Sequence, residues 1–261
     1  MPVETRKASK RGRILAAPLR HTGGMTTVLA RLPDSGDPEL LFLLFHGVGA
    51  TAEHMTVLAQ RLAQEYPQAA VLCIDAPDDF DAAPGSGGKQ WFSIQGITDD
   101  NRPQRVAAAL PRFVAAVRAL QLRFAMDWPR TALFGFSQGA IMALEAVQAE
   151  PALAGRVLAF SGRHATLPDH APRDTCVHLL HGMDDRVVPP EPAVEAARRL
   201  VALGGDVTAD VLPGIGHDLD PRLIERAIDQ LRSFLPRRAW REAFEAAPVV
   251  SRPASSRDLE D

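Results

Sequence analysis

The segment from Thr131 to Ala149 reads TALFGFSQGAIMALEAVQA: a short apolar run, a turn bounded by glycines, and an Ala-rich stretch of helical length. This pattern predicts a strand that turns through residues 135–139 directly into a helix. A serine in such a corner is exposed at the edge of a sheet, and flanking glycines let strand and helix approach closely. The bland alternative is an ordinary Gly-bounded turn. A strand before it and a helix after it favour a nucleophile elbow, with Ser137 as the nucleophile.

Composition limits what can surround this elbow. The chain has 261 residues, of which 46% are hydrophobic, enough for one large domain with a substantial core. Its formal net charge is −3 with mixed signs, so no dominant basic face is available for nucleic acid. No run of about 18 apolar residues occurs, and we therefore expect no membrane-spanning segment. The basic stretch RKASKRGR at residues 6–13 is interpreted as a solvated terminus, with a transit peptide as the alternative.

Three segments are predicted along the chain. Residues 1–20 form a flexible basic N-terminus, residues 21–236 form the catalytic domain, and residues 237–261 form a C-terminal extension. Within the extension we expect a short amphipathic helix with Trp240 and Phe244 on one side, followed by disorder from Pro248.

Apolar runs and helical patterns alternate through the middle segment. Besides the strand and helix of the elbow at 131–149, strands are predicted at 25–32, 40–45, 69–74, 156–160, 176–180 and 207–212, and helices at 52–65, 192–203 and 221–234. This alternation predicts an α/β protein with a doubly wound, mostly parallel sheet and helices on both faces. The short stretch at 161–175 leaves no room for a cap domain. The first two strands are expected to form a hairpin across the turn cluster at 33–38.

A further helix is predicted from residue 102 toward Leu122. Asn101 is its expected N-cap and Pro103 lies in its first turn. Pro111 falls inside this helix and should kink or interrupt it, because proline removes a backbone donor and its ring clashes with the preceding turn.

Chemistry is expected at the carboxyl ends of the strands, where open α/β sheets place their sites. Ser137 follows one strand, the loop HGMDDRVVP at 181–189 follows a later one, and GIGHD at 214–218 follows the last. His217 is the predicted general base, since a histidine can accept the serine proton and return it to the leaving group. Asp184 and Asp185 are adjacent, and only one of them can point toward His217.

Two backbone N–H groups are predicted to form an oxyanion hole. One belongs to Gln138, directly after the nucleophile, and the other to Val48 in the loop HGVG at 46–49. The glycines of this loop let a backbone amide turn inward, although such a stretch can also be only a turn.

The cysteines and histidines indicate no metal or cofactor. Cys73 and Cys176 lie in apolar runs, where we expect free, buried thiols, no disulfide and a cytoplasmic setting. The eight histidines lack the spacing of zinc sites. We expect His46, His178 and His181 to be structural and His164 and His170 to lie at the surface, while His21 and His54 have no assigned partner.

The motifs HGVG, GFSQG, HGMDDRVVP and GIGH, in this order and at this spacing, resemble the phospholipase/carboxylesterase family of α/β-hydrolases, which includes acyl-protein thioesterases. The resemblance covers roughly residues 25–235. Within it, the segment QWFSI at 90–94 resembles the bacterial esterase branch of the family. It implies serine-dependent hydrolysis of carboxylic esters or thioesters by Ser137, Asp185 and His217. Ala50 and Met183 depart from the family pattern at positions where it carries acids.

The long loop from Pro77 to Arg102 holds three large apolar side chains, Trp91, Phe92 and Ile94. One hypothesis is that they line an acyl pocket for short to medium chains, since the loop emerges at the same sheet edge as Ser137. The alternative is that they anchor the loop to the domain.

The sequence therefore predicts a serine esterase or thioesterase that acts on a small-molecule ester or thioester, as a monomer or homodimer. A lysophospholipase or peptidase on the same fold is the second candidate. A catalytically silent binding scaffold is the third, although a scaffold needs no Ser, Asp and His in matching loops.

Overall fold

The computed structural model describes residues 13–15, 19–20, 26–237, 239 and 242. The strands are β1 (Arg13–Leu15), β2 (Leu19–Arg20), β3 (Thr26–Leu32), β4 (Leu40–Phe45), β5 (Ala69–Asp75), β6 (Asp78–Asp79), β7 (Lys89–Gln90), β8 (Thr131–Phe136), β9 (Arg156–Phe160), β10 (Cys176–Gly182) and β11 (Asp206–Leu212). The helices are α1 (Thr56–Glu65), α2 (Arg102–Arg123), α3 (Gln138–Ala149), α4 (Glu191–Ala202) and α5 (Pro221–Ser233). Short 3₁₀ helices lie at Ala52–Met55 and Trp128–Arg130.

Within these residues one nine-stranded sheet forms the centre of the domain. Its order is β1-β3-β5-β4-β8-β9-β10-β11, with β2 beside β3. The six strands from β5 to β11 in this order are parallel, and β3 joins them antiparallel to β5. The predicted α/β class and mostly parallel sheet are confirmed.

The apolar run of β4 is explained by its central position. Alternate side chains of a strand point to opposite faces, and both faces of this sheet are covered by helices. Leu41 and Leu43 therefore belong to one core cluster, which includes α2 and α3. Phe42 and Leu44 belong to the other, which includes α1 and α5.

The predicted hairpin between β3 and β4 is wrong. β3 pairs with β5, in a register that sets Ala30 opposite Leu72, whereas β4 lies between β5 and β8 and is parallel to both. The physical reason is burial: β4 is apolar on both faces and lies among parallel strands, so the turn cluster at 33–38 carries the chain past β5.

Two expectations for the long helix α2, at its first turn and at Pro111, need correction. α2 begins at Arg102, but the Asn101 side chain does not cap it. Its Oδ1 accepts a bond of 2.9 Å from the Thr98 N–H and its Nδ2 donates to the Gly96 carbonyl, so Asn101 closes the preceding loop. The helix is not interrupted at Pro111, because Phe113, Ala116 and Val117 pack into the core directly after it.

Part of the predicted flexible terminus is also corrected. Residues 13–15 and 19–20 are strands that pair antiparallel with β3. Trp240 and Phe244, which define the predicted amphipathic face of the C-terminal helix, and the segment from Pro248 lie outside the described residues.

Cys73 on β5 and Cys176 on β10 do not form a disulfide, because four strand spacings, about 19 Å, separate their strands. None of the described helices combines the length and apolar character that crossing a bilayer requires.

Candidate active site

The turn between β8 and α3 forces Ser137 into an unusual backbone conformation, with φ 52° and ψ −113°. The residues two positions before and two positions after it must be glycines. A Cβ on Gly135 would lie 2.4 Å from the backbone of Ala140, and one on Gly139 would lie 2.3 Å from the Phe45 carbonyl oxygen. The strand and helix therefore meet without intervening side chains, and the serine lies at the carboxyl end of the central strands.

The structure brings three of the predicted side chains into one hydrogen-bonded chain. Ser137 Oγ lies 3.0 Å from His217 Nε2. His217 Nδ1 lies 2.7 Å from Asp185 Oδ2. Because a carboxylate only accepts, Nδ1 carries the proton and donates it to Asp185, which leaves the Nε2 lone pair to accept from the serine hydroxyl.

Asp185, not Asp184, is the carboxylate at His217. Asp184 is exposed, whereas Asp185 is buried and its second oxygen, Oδ1, accepts the backbone N–H groups of Val187 and Val188 at 2.9 and 2.8 Å. Burial alone raises the pKa of this carboxyl, but the bonds from His217 and from the two amides outweigh burial and lower the pKa below its ordinary value. Asp185 is therefore held as a carboxylate.

His181 supports the same carboxylate from behind. Its Nε2 lies 2.7 Å from the Val188 carbonyl, which can only accept, so Nε2 carries a proton. The same nitrogen lies 3.3 Å from Asp185 Oδ2. This buried histidine was expected to be structural, and its contacts are those of a residue that braces the acid loop.

The two predicted oxyanion-hole amides flank Ser137. Gln138 is the first residue of α3, where backbone N–H groups have no partner within the helix. Val48 follows Gly47, whose Cβ position lies 3.3 Å from the Ser137 Cβ. In the described part of the chain neither amide donates to a protein acceptor.

Trp91 packs as an anchor of its loop. Its side chain is 2% exposed and contacts the rings of Phe45 and Phe113 at centroid distances of 5.5 Å. The indole Nε1 donates to the His46 carbonyl at 2.8 Å. Phe92 is also buried, while Ile94 is half-buried. An acyl-pocket role stays a prediction, and of the three side chains Ile94 is the most accessible.

The Gln138 side chain has a role that the sequence analysis missed. Its Oε1 accepts the Trp91 N–H at 2.8 Å and its Nε2 donates to the Phe92 carbonyl at 2.7 Å. The side chain of the residue after the nucleophile thus holds the loop backbone at two successive residues, through one N–H group and one carbonyl. A long amide at this elbow position was the available signal, but its partners are 46 and 47 residues away in sequence.

Two further histidines are now placed: His164, which was expected at the surface, and His54, which had no assigned partner. His164 is buried rather than at the surface, and its Nδ1 lies 2.9 Å from Glu145 Oε1 on α3. His54 is exposed, and its ring lies at a tilt to that of Phe136 with the centroids 5.1 Å apart; the same phenyl ring lies 4.9 Å from the ring of His217. No cluster of three or more potential metal ligands occurs among the described residues.

A mostly parallel sheet with a strained serine elbow, a carboxylate after β10 and a histidine after β11 defines the α/β-hydrolase class. A family model described as phospholipase/carboxylesterase matches residues 33–235. The chain belongs to this family.

Individual relatives agree with this assignment. Esterase YpfH of Escherichia coli strain K12 is 44% identical over 212 residues, which cover 81% of this chain and 90% of that protein. An acyl-protein thioesterase 1 from Eremothecium gossypii is 24% identical over 211 residues, covering 74% and 87% of the two chains. The crystal structure of esterase PE8 superposes with a TM-score of 0.72 at 27% identity and covers 83% of this chain and all, 100%, of that one. The predicted family, the α/β-hydrolase fold without a cap domain and the class of serine ester hydrolase are confirmed.

Proposed function

We propose that Ser137, His217 and Asp185 are the catalytic triad of a carboxylesterase or thioesterase that acts on short to medium acyl chains. The observation that carries the proposal is the continuous chain of hydrogen bonds from Ser137 Oγ through His217 to the buried Asp185. A serine hydroxyl is a weak nucleophile, and an adjacent base that is itself oriented by a third group is what activates it.

The reaction follows from these positions. His217 Nε2 takes the hydroxyl proton as Ser137 Oγ attacks the acyl carbon, and the carbonyl oxygen becomes an oxyanion. The N–H groups of Val48 and Gln138 stabilise this charge. The imidazolium formed beside Asp185 returns its proton to the leaving alcohol or thiol, which leaves an acyl-enzyme. Water, activated by the same histidine, then releases the acid and regenerates the serine.

The acyl chain is proposed to extend along the loop that carries Phe92 and Ile94. Each buried CH₂ contributes up to about 0.8 kcal/mol until the pocket is full, so the rate should rise with chain length and then level off. Phe92 is 6% exposed, which supports a role as a fixed wall rather than a mobile lid.

The likeness to an acyl-protein thioesterase supports thioesters as the second substrate class, with lysophospholipids and peptides as further candidates. A small-molecule ester remains the main partner proposed here. We also propose a cytoplasmic location, supported by the two buried thiols, and a monomer or homodimer.

A fluorophosphonate probe and a panel of p-nitrophenyl esters and acyl thioesters of graded length test these proposals. Wild type should be labelled and should hydrolyse the esters, whereas Ser137→Ala should lose labelling and about 10⁴-fold or more in turnover. Ser233→Ala is the matched control, because its exposed hydroxyl only donates to the Asp229 carbonyl at the end of α5. If S137A keeps its activity, or wild type is inert toward every ester, the assignment is wrong and a binding scaffold becomes the better description.

A further inference from the structure

His46 is fully buried directly before the loop that carries Val48, and both of its ring nitrogens are used. Nδ1 lies 2.7 Å from the Gly47 carbonyl, and Nε2 lies 3.0 Å from the Ala76 N–H. A carbonyl only accepts and a backbone amide only donates, so Nδ1 carries the proton and Nε2 the lone pair. Burial lowers the pKa of His46, which agrees with a neutral ring fixed in one tautomer.

The bond from His46 acts on the peptide that contains the Val48 N–H. The Gly47 carbonyl and the Val48 N–H belong to the same peptide unit, which is planar and trans, so the two groups point in opposite directions. Holding the carbonyl therefore fixes the direction of the N–H. The Gly47 carbonyl also accepts the Ala50 N–H at 3.3 Å. Hydrogen bonds at a carbonyl polarise the amide and strengthen its N–H as a donor.

This peptide needs such a hold because its surroundings are permissive. Glycine stands on both sides of Val48, and Gly49 has a positive φ of 75°. A rotation of the peptide would turn the Gly47 carbonyl dipole toward the developing oxyanion instead of the N–H. The Cβ position of Gly47, 3.3 Å from the Ser137 Cβ, places the peptide next to the reacting atoms.

A second set of bonds ties His46 to the other oxyanion donor. The His46 carbonyl accepts the Trp91 indole N–H at 2.8 Å, and the Trp91 backbone N–H donates to the Gln138 side chain at 2.8 Å. The backbone of the next segment also joins this loop, since the Gly49 N–H donates to the Lys89 carbonyl at 2.8 Å. The residues carrying the two predicted donors are thus connected through one buried tryptophan.

We propose that His46 is a positioning residue of the oxyanion hole: its Nδ1–H holds the Gly47–Val48 peptide so that the Val48 N–H faces the developing oxyanion. The inference rests on the proposed function, in which Val48 and Gln138 supply that hole. His46 touches neither substrate nor nucleophile and acts only through this peptide.

The test compares His46→Asn with His46→Gln. Asparagine places a side-chain N–H near the position of Nδ1, whereas glutamine places its amide near Nε2, and the two differ by one methylene. Measurements are kcat and KM with p-nitrophenyl acetate, the inhibition constant of phenylboronic acid, which forms a tetrahedral adduct with an active serine, and the melting temperature.

H46Q should lower kcat by about 10²-fold with little change in KM, the loss typical of one missing oxyanion donor. It should weaken boronic acid binding by a similar factor. H46N should show neither loss to more than a few-fold. Both variants should melt below wild type, because H46N lacks the acceptor for the Ala76 N–H and H46Q lacks the donor to the Gly47 carbonyl.

Equal kcat in wild type and H46Q would overturn the proposal, as would equal losses in H46N and H46Q at a temperature where both are folded. If H46Q does not fold, H46N compared with wild type decides the question. The side-chain N–H that it keeps should hold kcat within a few-fold of wild type, and a loss of about 10²-fold in folded H46N would overturn the proposal. A wild type that hydrolyses no ester and binds no boronic acid overturns the proposed function itself, whereas an active wild type with the wrong pattern of variants overturns only the role of His46.

Discussion

Asp185→Asn should abolish most of the activity while keeping the shape of the site. The Oδ1 position accepts two backbone N–H groups, from Val187 and Val188, so the amide oxygen of an asparagine must take that place. The amide NH₂ then occupies the Oδ2 position, 2.7 Å from His217 Nδ1. Two donors cannot face each other, so His217 must move its proton to Nε2, where it can no longer accept from the serine.

The expected loss follows from this tautomer change. An imidazole with the proton on Nε2 is not a base toward Ser137, and trapping the wrong tautomer in such a triad costs about 10⁴-fold in kcat, or about 5.4 kcal/mol of transition-state stabilisation. The new NH₂ also faces the His181 N–H, 3.3 Å from the present Oδ2. A buried donor without an acceptor should lower the free energy of unfolding by about 1–3 kcal/mol.

The assay is kcat/KM with p-nitrophenyl acetate, together with urea unfolding to establish that each variant is folded. Asp184→Asn is the matched control, because it makes the same chemical change one residue earlier on an exposed side chain. It should retain activity within a few-fold of wild type. If D184N loses as much as D185N, or if D185N loses less than about tenfold, the orientation of His217 by Asp185 is refuted.

Two further predictions concern packing and pH. Trp91→Ala should lower the free energy of unfolding by about 3–5 kcal/mol in urea titrations, since the indole is buried. Ile94→Ala should instead alter the preference for acyl chain length. A Trp91→Ala protein with full stability and an altered chain-length preference would refute the anchor role. Burial and the neighbouring Arg156 lower the pKa of His178 to about 3, so the folded ring stays neutral while the unfolded one binds a proton below about 6.5. The contribution of this group to the free energy of unfolding is therefore fully present above pH 6.5 and is lost as pH falls toward 3, by about 2 kcal/mol between pH 7 and 5. His178→Gln, which can still accept from Arg156, should remove this part of the pH dependence of the free energy of unfolding. An unchanged pH dependence in urea titrations would contradict the assignment.

The elbow could be predicted because its signals are local. Gly135, Ser137 and Gly139 stand within five residues, and the backbone they require is a property of that turn alone. His217 could be predicted as the general base because its loop follows the last strand. The geometry of parallel sheets places that loop at the same edge as the serine. Only the geometry distinguishes Asp185 from Asp184 by contact, since adjacent side chains in a loop carry no periodic signal.

Strand pairing and side-chain partners could not be predicted in the same way. β3 pairs with β5, although β4 and α1 lie between them in the chain, and no local sequence pattern predicts that pairing. His164 reads as a loop residue until α3 places Glu145 beside it. Trp91 carries both readings in sequence, because a large apolar side chain in a loop can cover a substrate or the core, and only its neighbours decide between them.

The backbone of Ser137 also sets a limit on the stability of the fold. A residue held at φ 52° and ψ −113° destabilises the fold by on the order of 1–3 kcal/mol. The free energy of unfolding of a typical domain is only about 5–15 kcal/mol. The strain is maintained by the same close contacts that make Gly135 and Gly139 obligatory. Relaxing it would favour the fold and remove the nucleophile from its place, so stability and catalysis are in conflict at this one residue.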